Sequence, residues 1–454
     1  MDDRRMQWDR LLSSRRFGDD RYQGQKSRSV FVQDHDRIVF SAPFRRLANK
    51  TQVQPLYEHD HVHHRLIHSI EVSSVGRSLA TRIGQWLAGQ GAIAAAEVDD
   101  LANIVQAACV AHDIGNPPFG HSGEEAMGAW FQDRFATNGG LFAEIPAGQQ
   151  REFTAFEGNA QGFRILTRLE MYRGDGGMRL CKATLGAFTK YPVGATDRDL
   201  IRAEDPAGAG YVGLKKFGLF QSDLPAFRDV AETLGLPERI SGAGRFWARH
   251  PLVFLMEAAD DITYNIVDLE DAFTTGELPY DRVRAILADI AGVTKVRPAS
   301  MTPAEEIASL RARSIGAAVE ACEAAFVQHY DAIMQGRFSG DLIGASRLGP
   351  AFAEVKALAG DQIFTAPRKT ELELSGRRII ANVMSGILPV YEDMARCGWD
   401  AEKLSPHSQQ LARALALDLR DLQDAETALH ALADFTSGMT DRYALRISRM
   451  LSGT

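Results

Sequence analysis

The sequence has few cysteines, and they form no recognisable pattern. It contains four in 454 residues, Cys109, Cys181, Cys322 and Cys397, and they lie far apart with no C-x-x-C pair. A zinc ribbon or a disulfide framework needs paired cysteines at short or regular spacing, so both are disfavoured. The usage fits a reducing cytoplasm.

Long apolar runs and an excess of positive charge are also missing. The longest apolar runs are far too short to span a membrane, and the start, MDDRRMQWDRLLSSRR, is charged and has no signal-type apolar stretch. We therefore expect a cytoplasmic protein with no membrane partner. The net charge of −8 gives no support for nucleic-acid binding as the main task. A local cluster of Arg and Lys can still bind an anionic substrate.

Strand-like alternation is scarce, and the prevailing spacing is helical. In residues 99–113, Leu101, Ile104, Val105 and Ala108 follow the three-and-four spacing of one buried helix face. The pattern predicts an all-α fold, with one small β-hairpin near residues 30–32 and 50–53. Helices are expected over 65–87, 99–113, 251–272, 371–394 and within 408–451.

No repeat or low-complexity linker divides the chain. We expect one helical unit over 1–454. Its core spans 65–272 with an insertion at about 125–250, and a C-terminal helical region spans 273–454.

The most informative stretch is AHDIGNPPFGHSGE, residues 111–124. His112 continues the apolar stripe of its helix, so its imidazole should point into the core, and Asp113 follows directly. Burying an unpaired carboxylate is expensive, which makes a neighbouring cation a reasonable inference. Adjacent His-Asp pairs are common, however. Taken alone, this one is better explained by a satisfied buried histidine with a capping aspartate.

Two further helices carry polar side chains at helical spacing. Arg65, His68 and Glu71 lie on one side of the first, and Asp260, Tyr264 and Asp268 lie on one side of the second. An Asp-Tyr-Asp stripe on an otherwise apolar helix is hard to explain by packing. The two imidazoles and the carboxylates of Asp113 and Asp260 form a mixed N/O ligand set. This set suits Mn, Fe, Co, Ni or Zn and is less typical of a site selected for Mg alone.

Several motifs in order resemble the dGTPase family of HD-domain triphosphohydrolases. They are the stretch above, FEGNAQGFRIL (156–166), TKYP (189–192), KKFGLFQSD (215–223) and EAADDITYNIVDLEDA (257–272). The likeness runs from about Arg45 to Asp271, with a weaker echo in ELSGRRIIANVMSGIL (373–388). It implies an HD fold for the core and hydrolysis of a deoxynucleoside triphosphate (dNTP) to deoxynucleoside and inorganic triphosphate. It also implies a homo-oligomer, expected to be a hexamer. A dNTP activator and single-stranded DNA are further candidate partners.

The resemblance assigns roles residue by residue. The ligands of a divalent metal (Mn2+, Mg2+ or another transition metal) are His68, His112, Asp113 and Asp260. The catalytic pair is His121 and Glu124. Gln52 and Asp268 match the positions that hold the sugar 3′-hydroxyl, and Tyr264 matches the residue under the deoxyribose. The candidates for binding the triphosphate are Arg65, Lys215 and Arg378, with Lys216 as an alternative to Lys215.

Some readings stay open at the level of sequence. The cluster His59, His61, His63 and His64 is either a second metal site or, as we prefer, a polar loop near the phosphates. The hypothesis for the reaction is that a metal-activated water attacks the α-phosphorus while protonated His121 donates a proton to the departing 5′-oxygen. The alternatives are a nucleoside monophosphatase, a cyclic-nucleotide phosphodiesterase, or a non-catalytic dNTP- or single-stranded-DNA-binding regulator. No residue indicates a base preference.

Overall fold

The computed structural model describes residues 5–25, 27–51, 64–206, 208–294, 300–363 and 367–453. Within these ranges the fold is all-α, as predicted, and one short hairpin is its only sheet. No helix in the described ranges is both long and apolar enough to cross a membrane. The predicted contact residue Gln52 and the histidines at 59, 61 and 63 lie outside the described residues.

Short 3-10 and π-helical turns connect the α-helices. The α-helices are α1 (Trp8–Leu11), α2 (Val30–Val39), α3 (Ala42–Arg46), α4 (Arg65–Gly89), α5 (Val98–Ala111), α6 (Gly120–Thr137), α7 (Gln150–Thr154), α8 (Gly158–Arg164), α9 (Lys182–Phe188), α10 (Ala195–Glu204), α11 (Leu224–Leu234), α12 (Val253–Thr274), α13 (Tyr280–Ile290), α14 (Pro303–Met334), α15 (Leu342–Ala345), α16 (Gly349–Leu358), α17 (Pro367–Arg396), α18 (Pro406–Leu415), α19 (Ala425–Ser437) and α20 (Asp441–Ser452). The helices predicted from spacing are confirmed within a few residues at each end, and the predicted C-terminal helical stretch consists of α18, α19 and α20.

The predicted position of the hairpin was wrong. Residues 30–32 begin α2, because Ser29 caps that helix by accepting a hydrogen bond from the backbone N–H of Phe31. The buried residues Phe31, Asp34 and Ile38 of α2 then follow helical spacing. The hairpin lies instead in the predicted insertion, where β1 (Glu238–Ser241) pairs antiparallel with β2 (Gly244–Trp247).

Three helices, α4, α5 and α12, pack against one another at the centre of the fold. Gly76 marks their closest approach: a Cβ there would collide with the Cys109 sulfur and lie 3.4 Å from Ala259 Cβ. A larger residue at position 76 would push the three helices apart. Because these helices carry the predicted metal ligands, the packing around Gly76 sets the spacing of those side chains.

The buried apolar residues form two clusters. The first surrounds α4, α5 and α12 and includes α13 to α16, and the second joins α6 to α17, α19 and α20. The predicted region 273–454 is therefore divided between both clusters. Helix α17 packs against the helix that carries His121 and Glu124, and α19 and α20 pack against α17, so the C-terminal part of the chain borders the site.

Candidate active site

Two imidazoles and two carboxylates converge where α4, α5 and α12 meet. Asp260 Oδ1 lies 3.2 Å from His68 Nε2 and 3.5 Å from His112 Nε2, and Asp113 Oδ1 lies 3.6 Å from His112 Nε2. Ligands held at about 2.1 Å from one cation in tetrahedral or octahedral geometry are about 3.0–3.4 Å apart. The observed spacings are close to that range. The ligand atoms of His68, His112 and Asp113 also form a group compact enough for one metal ion.

The local structure of His112 leaves one ring nitrogen available as a metal ligand. Its Nδ1 lies 2.7 Å from the backbone carbonyl of Cys109, one turn earlier in α5, and donates a hydrogen bond to that carbonyl. The lone pair is then on Nε2, which is buried and has no hydrogen-bond partner among the described residues. A buried ring nitrogen in this state fits a cation at the centre of the four side chains.

Each carboxylate is held by a cationic side chain on the oxygen that faces away from the histidines. Arg65 donates to Asp113 Oδ2 at 2.7 Å, and Lys190 donates to Asp260 Oδ2 at 2.7 Å. Both carboxylates thereby keep their Oδ1 atoms directed at the imidazoles. The four residues fit a divalent metal of the mixed N/O type.

The pKa values in this cluster reflect burial opposed by ion pairing. Burial alone would raise the pKa of Asp260, but Lys190 and then His112 hold it well below its usual value. Burial would likewise raise the pKa of Asp113, and Arg65 reverses the shift. Burial lowers the pKa of His112, but the two carboxylates outweigh this effect and raise it. Both carboxyl groups are therefore ionised at neutral pH, as a metal site requires.

His121 and Glu124 form the predicted pair on the first turn of α6. Glu124 Oε2 accepts a hydrogen bond from His121 Nδ1 at 2.7 Å, and Glu124 Oε1 accepts one from the backbone N–H of Gly158 at 2.7 Å. Any Cβ at position 158 would lie 2.8 Å from Glu124 Oε1, so glycine permits this approach. Burial would raise the pKa of Glu124, but its bond to His121 and the charge of Lys216 lower it. The His121 side chain is 81% exposed, and its Nε2 is left for a reacting group.

A cavity of about 340 Å³ is lined by three of the four candidate ligands and by both members of the pair: His112, Asp113, Asp260, His121 and Glu124. His68 does not line it and joins the group through its contact with Asp260. Of the predicted substrate contacts, Arg65, Lys215 and Tyr264 line it. Asp268 is buried one helical turn beyond Tyr264, whose pKa is raised by burial and by the nearby charge of Asp268. Arg378 does not line the cavity: it is exposed in a different groove, between α17 and α20. This placement gives no support to its predicted contact with the triphosphate.

Lys215 and Lys216, between which the sequence could not choose, have different surroundings in the structure. Lys216 Nζ lies 3.0 Å from Glu157 Oε2 and 3.8 Å from Glu124 Oε2, so carboxylates inside the site already hold it. Lys215 is exposed at the cavity wall and has no ion pair within the described part of the chain. Its ammonium group can therefore reach an anionic ligand without breaking a protein contact.

Two residues of the site were missed by the sequence reasoning. Lys190, which pairs with Asp260, was noted only as part of the TKYP motif, and Asn116, which donates to Asp113 Oδ1, only as part of AHDIGNPP. Each lies within one of the family motifs, and that position was the available signal. His64, the described member of the histidine cluster, precedes α4, and its Nδ1 is buried without a hydrogen-bond partner in the described ranges.

The C-terminal helix α20 anchors the start of α6. Asp441 Oδ1 accepts a hydrogen bond from the backbone N–H of Phe119 at 3.0 Å, and its Oδ2 accepts from the N–H of Thr51 at 3.1 Å and from its hydroxyl at 2.5 Å. Phe119 has a left-handed backbone with φ of 65° and directly precedes α6. Asp441 thus holds the turn that positions His121.

Residues 65–154 match the HD domain family. This range begins at the first residue of α4 and includes His68, His112, Asp113 and the His121–Glu124 pair. Asp260 lies beyond the matched range and reaches the site through the packing of α12.

Relatives align with almost the whole chain. Proteins named "Deoxyguanosinetriphosphate triphosphohydrolase-like protein" from Pseudomonas aeruginosa and from a Synechocystis species are each 39% identical, with 99% of both chains covered. A protein named "Deoxyguanosinetriphosphate triphosphohydrolase" from Yersinia pestis is 29% identical, with 91% of this chain and 92% of that protein covered.

Proposed function

Since the chain belongs to the deoxyguanosinetriphosphate triphosphohydrolase-like family of HD-domain phosphohydrolases, we propose that it hydrolyses a deoxynucleoside triphosphate to the deoxynucleoside and inorganic triphosphate. The observation that carries the proposal is the presence of two reactive groups in one cavity. His112, Asp113 and Asp260 face the same space as His121 and Glu124, and His68 completes the ligand set through its contact with Asp260.

We assign activation of the water to the metal ligands and protonation of the leaving group to the His121–Glu124 pair. When bound by the four ligands, a divalent cation acts as a Lewis acid and makes a water molecule nucleophilic at neutral pH. Asp113 and Asp260 stay ionised and correctly oriented because Arg65 and Lys190 hold their outer oxygens. These two cations also reduce the repulsion between the carboxylates and an incoming polyphosphate.

We assign His121 to the leaving group. Water attacks the α-phosphorus, the bond from phosphorus to the 5′-oxygen breaks, and that oxygen takes a proton from His121 Nε2. Glu124 bonds to Nδ1 and so fixes the tautomer and the direction of the ring. The products are then the deoxynucleoside and a triphosphate that contains the oxygen of the attacking water.

The wall of the cavity supplies contacts for the rest of the substrate. Lys215 is the exposed cation best placed for the phosphate chain, and Arg65 lies beside the ligands. Tyr264 presents an aromatic ring at the same wall, one turn of α12 beyond Asp260. We assign this ring to the 2′-carbon of the sugar, where it would exclude a ribose hydroxyl.

A hydrolysis screen tests the proposal directly. The purified chain is incubated with each dNTP, alone and in pairs, with Mn2+ or Mg2+, and the products are separated by anion exchange. We expect inorganic triphosphate and free deoxynucleoside, and the paired incubations reveal any activation of one dNTP by another. In water enriched in oxygen-18, attack on phosphorus labels the triphosphate, whereas attack on the 5′-carbon labels the deoxynucleoside.

Other outcomes would replace the proposal with a different activity. Release of orthophosphate or of a linear monophosphate would identify a monophosphatase or a cyclic-nucleotide phosphodiesterase. Binding of dNTP or single-stranded DNA without turnover, in any pair and with either metal, would identify a regulator. Light scattering of the same preparation, with and without dNTP, tests the proposed homo-hexamer.

A further inference from the structure

A second cluster of potential metal ligands lies away from the candidate active site. Glu152 belongs to α7, and Glu426 and His430 lie one turn apart on α19. One ligand atom from each of the three lies within 4.8 Å of the other two. His430 and Glu152 are each only 2% exposed, and Glu426 is half-buried.

The contact between His430 and Glu152 repeats the geometry of the first site. His430 Nε2 lies 3.1 Å from Glu152 Oε1, which compares with 3.2 Å between His68 Nε2 and Asp260 Oδ1. A proton must lie between two such atoms when they are hydrogen-bonded, and a divalent cation can replace that proton. Nε2 is therefore the ring nitrogen that faces the Glu152 carboxylate, while the buried Nδ1 has no hydrogen-bond partner among the described residues.

Carboxyl groups outnumber cationic side chains around this cluster. Besides Glu152 and Glu426, the buried carboxyl groups of Asp223 and Asp434 lie close by, and Arg164 is the cation that pairs with both. A second arginine, Arg168, also acts on Glu426 and His430, so four carboxyl groups share this region with two arginines.

We propose that Glu152, Glu426 and His430 bind a second divalent transition-metal ion, of the zinc or manganese type. One imidazole and two carboxylates form the mixed N/O set that such ions prefer, and the half-buried Glu426 leaves a side open for water as a further ligand. The two ligands from α19 lie four residues apart and so face one way on the helix.

The ion would cross-link α7 to α19. The chain that leaves α7 continues directly to Gly158, whose backbone N–H holds Glu124. A cation at this position would therefore fix the C-terminal helices to the segment that supports the catalytic pair. The expected role is structural, with no contact to the substrate.

Elemental analysis of the full-length chain tests the site. The wild type is equilibrated with Zn2+, desalted and compared with Glu426→Ala, and Glu320→Ala serves as the matched control, because Glu320 is an exposed helical glutamate on α14. We expect Glu426→Ala to retain one zinc fewer per chain than the wild type and the control. Equal zinc content in all three would overturn the proposal. The comparison is unaffected by any zinc bound elsewhere, because only the difference is read.

A second measurement separates this site from the catalytic one. In the His68→Ala background, Zn2+ at about 100 times its Kd should raise the unfolding midpoint on the order of 3 °C, and the double variant His68→Ala/Glu426→Ala should show no such shift. The single variant Glu426→Ala should unfold in EDTA like the wild type, because Glu426 has no hydrogen bond to lose in the described structure. A shift that survives in the double variant would refute the assignment even if dNTP hydrolysis is confirmed.

Discussion

Replacing Asp441 by Asn should impair catalysis, although Asp441 lies 322 residues beyond Phe119 in the sequence. The carboxylate is 1% exposed and accepts hydrogen bonds from Phe119 on one oxygen and from Thr51 on the other. An amide of the same shape has only one oxygen. If the amide oxygen faces Thr51, the amide NH2 group faces the backbone N–H of Phe119. Two hydrogen-bond donors then face each other with no acceptor between them.

The size of the effect follows from these contacts. A buried N–H left without an acceptor costs about 1–3 kcal/mol, and losing the charge on the bonds to Thr51 costs about 1 kcal/mol more. We expect Asp441→Asn to lower the free energy of unfolding by about 2–4 kcal/mol, as measured in urea. The freed turn at Phe119 precedes His121 by two residues. A displacement of about 1 Å there should cut kcat by roughly 10- to 100-fold.

A second buried aspartate of the C-terminal region, Asp393, provides a control for Asp441→Asn. The control is Asp393→Asn on α17. The Asp393 carboxylate accepts a hydrogen bond from the backbone N–H of Ser405 and contacts no residue of the candidate site, so its loss should lower stability without lowering kcat. Metal content should be unchanged in both variants, since Asp441 contacts none of the four ligands. If Asp441→Asn loses stability but keeps the kcat of the wild type, the turn at Phe119 does not position His121 and the reasoning is wrong.

Four further outcomes are expected. His121→Ala should lower turnover on the order of 100-fold or more with metal content intact, as elemental analysis will show; unchanged turnover would exclude it as the acid. Asp260→Ala should lose both metal and activity, and retained metal would argue against that ligand. Tyr264→Ala should raise the rate on ribonucleotides relative to deoxynucleotides by about 10-fold in competition assays, at the loss of about 1.4 kcal/mol of discrimination; an unchanged ratio would remove its sugar contact. Burial lowers the pKa of Lys50 to about 7, so the unfolded chain binds one more proton between pH 7 and 10.5 and stability rises with pH across that window. Lys50→Met should flatten this rise in urea titrations at pH 7, 8 and 9, and an equal slope in both proteins would contradict the shift.

Features carried by one helix could be predicted from the sequence. The apolar stripe of α5 correctly placed His112 in the core, and the four-residue steps of α12 placed Asp260 and Tyr264 on the same face. Helical spacing is a local property, and it survives folding because each of these helices buries the face that its pattern marks. The assignment of Asp113 and Asp260 to one metal site, and of His121 and Glu124 to a catalytic pair, came from the family resemblance and stays a prediction.

Features that join distant segments could not be predicted. Nothing in the sequence near Asp441 points to Phe119, since the contact spans 322 residues. The strand predicted at residues 30–32 was wrong for a different reason. Ser29 caps a helix that begins at Val30, and a short apolar run does not by itself distinguish a strand from such a helix. Arg378 was matched by motif alone, and its helix turns it toward α20.

The order in which the ribosome releases these segments has a consequence for the newly made protein. His68 and His112 emerge first, the proposed ligand set is complete only when Asp260 follows, and the turn before His121 is fixed only when Asp441 appears. At about 5–20 residues per second, the 181 residues from 260 to 441 take roughly 10–35 s to make. Under the proposed function, a nascent chain would hold all four proposed metal ligands well before the turn that positions His121 is fixed, and synthesis of the last helix would be the step that completes the site.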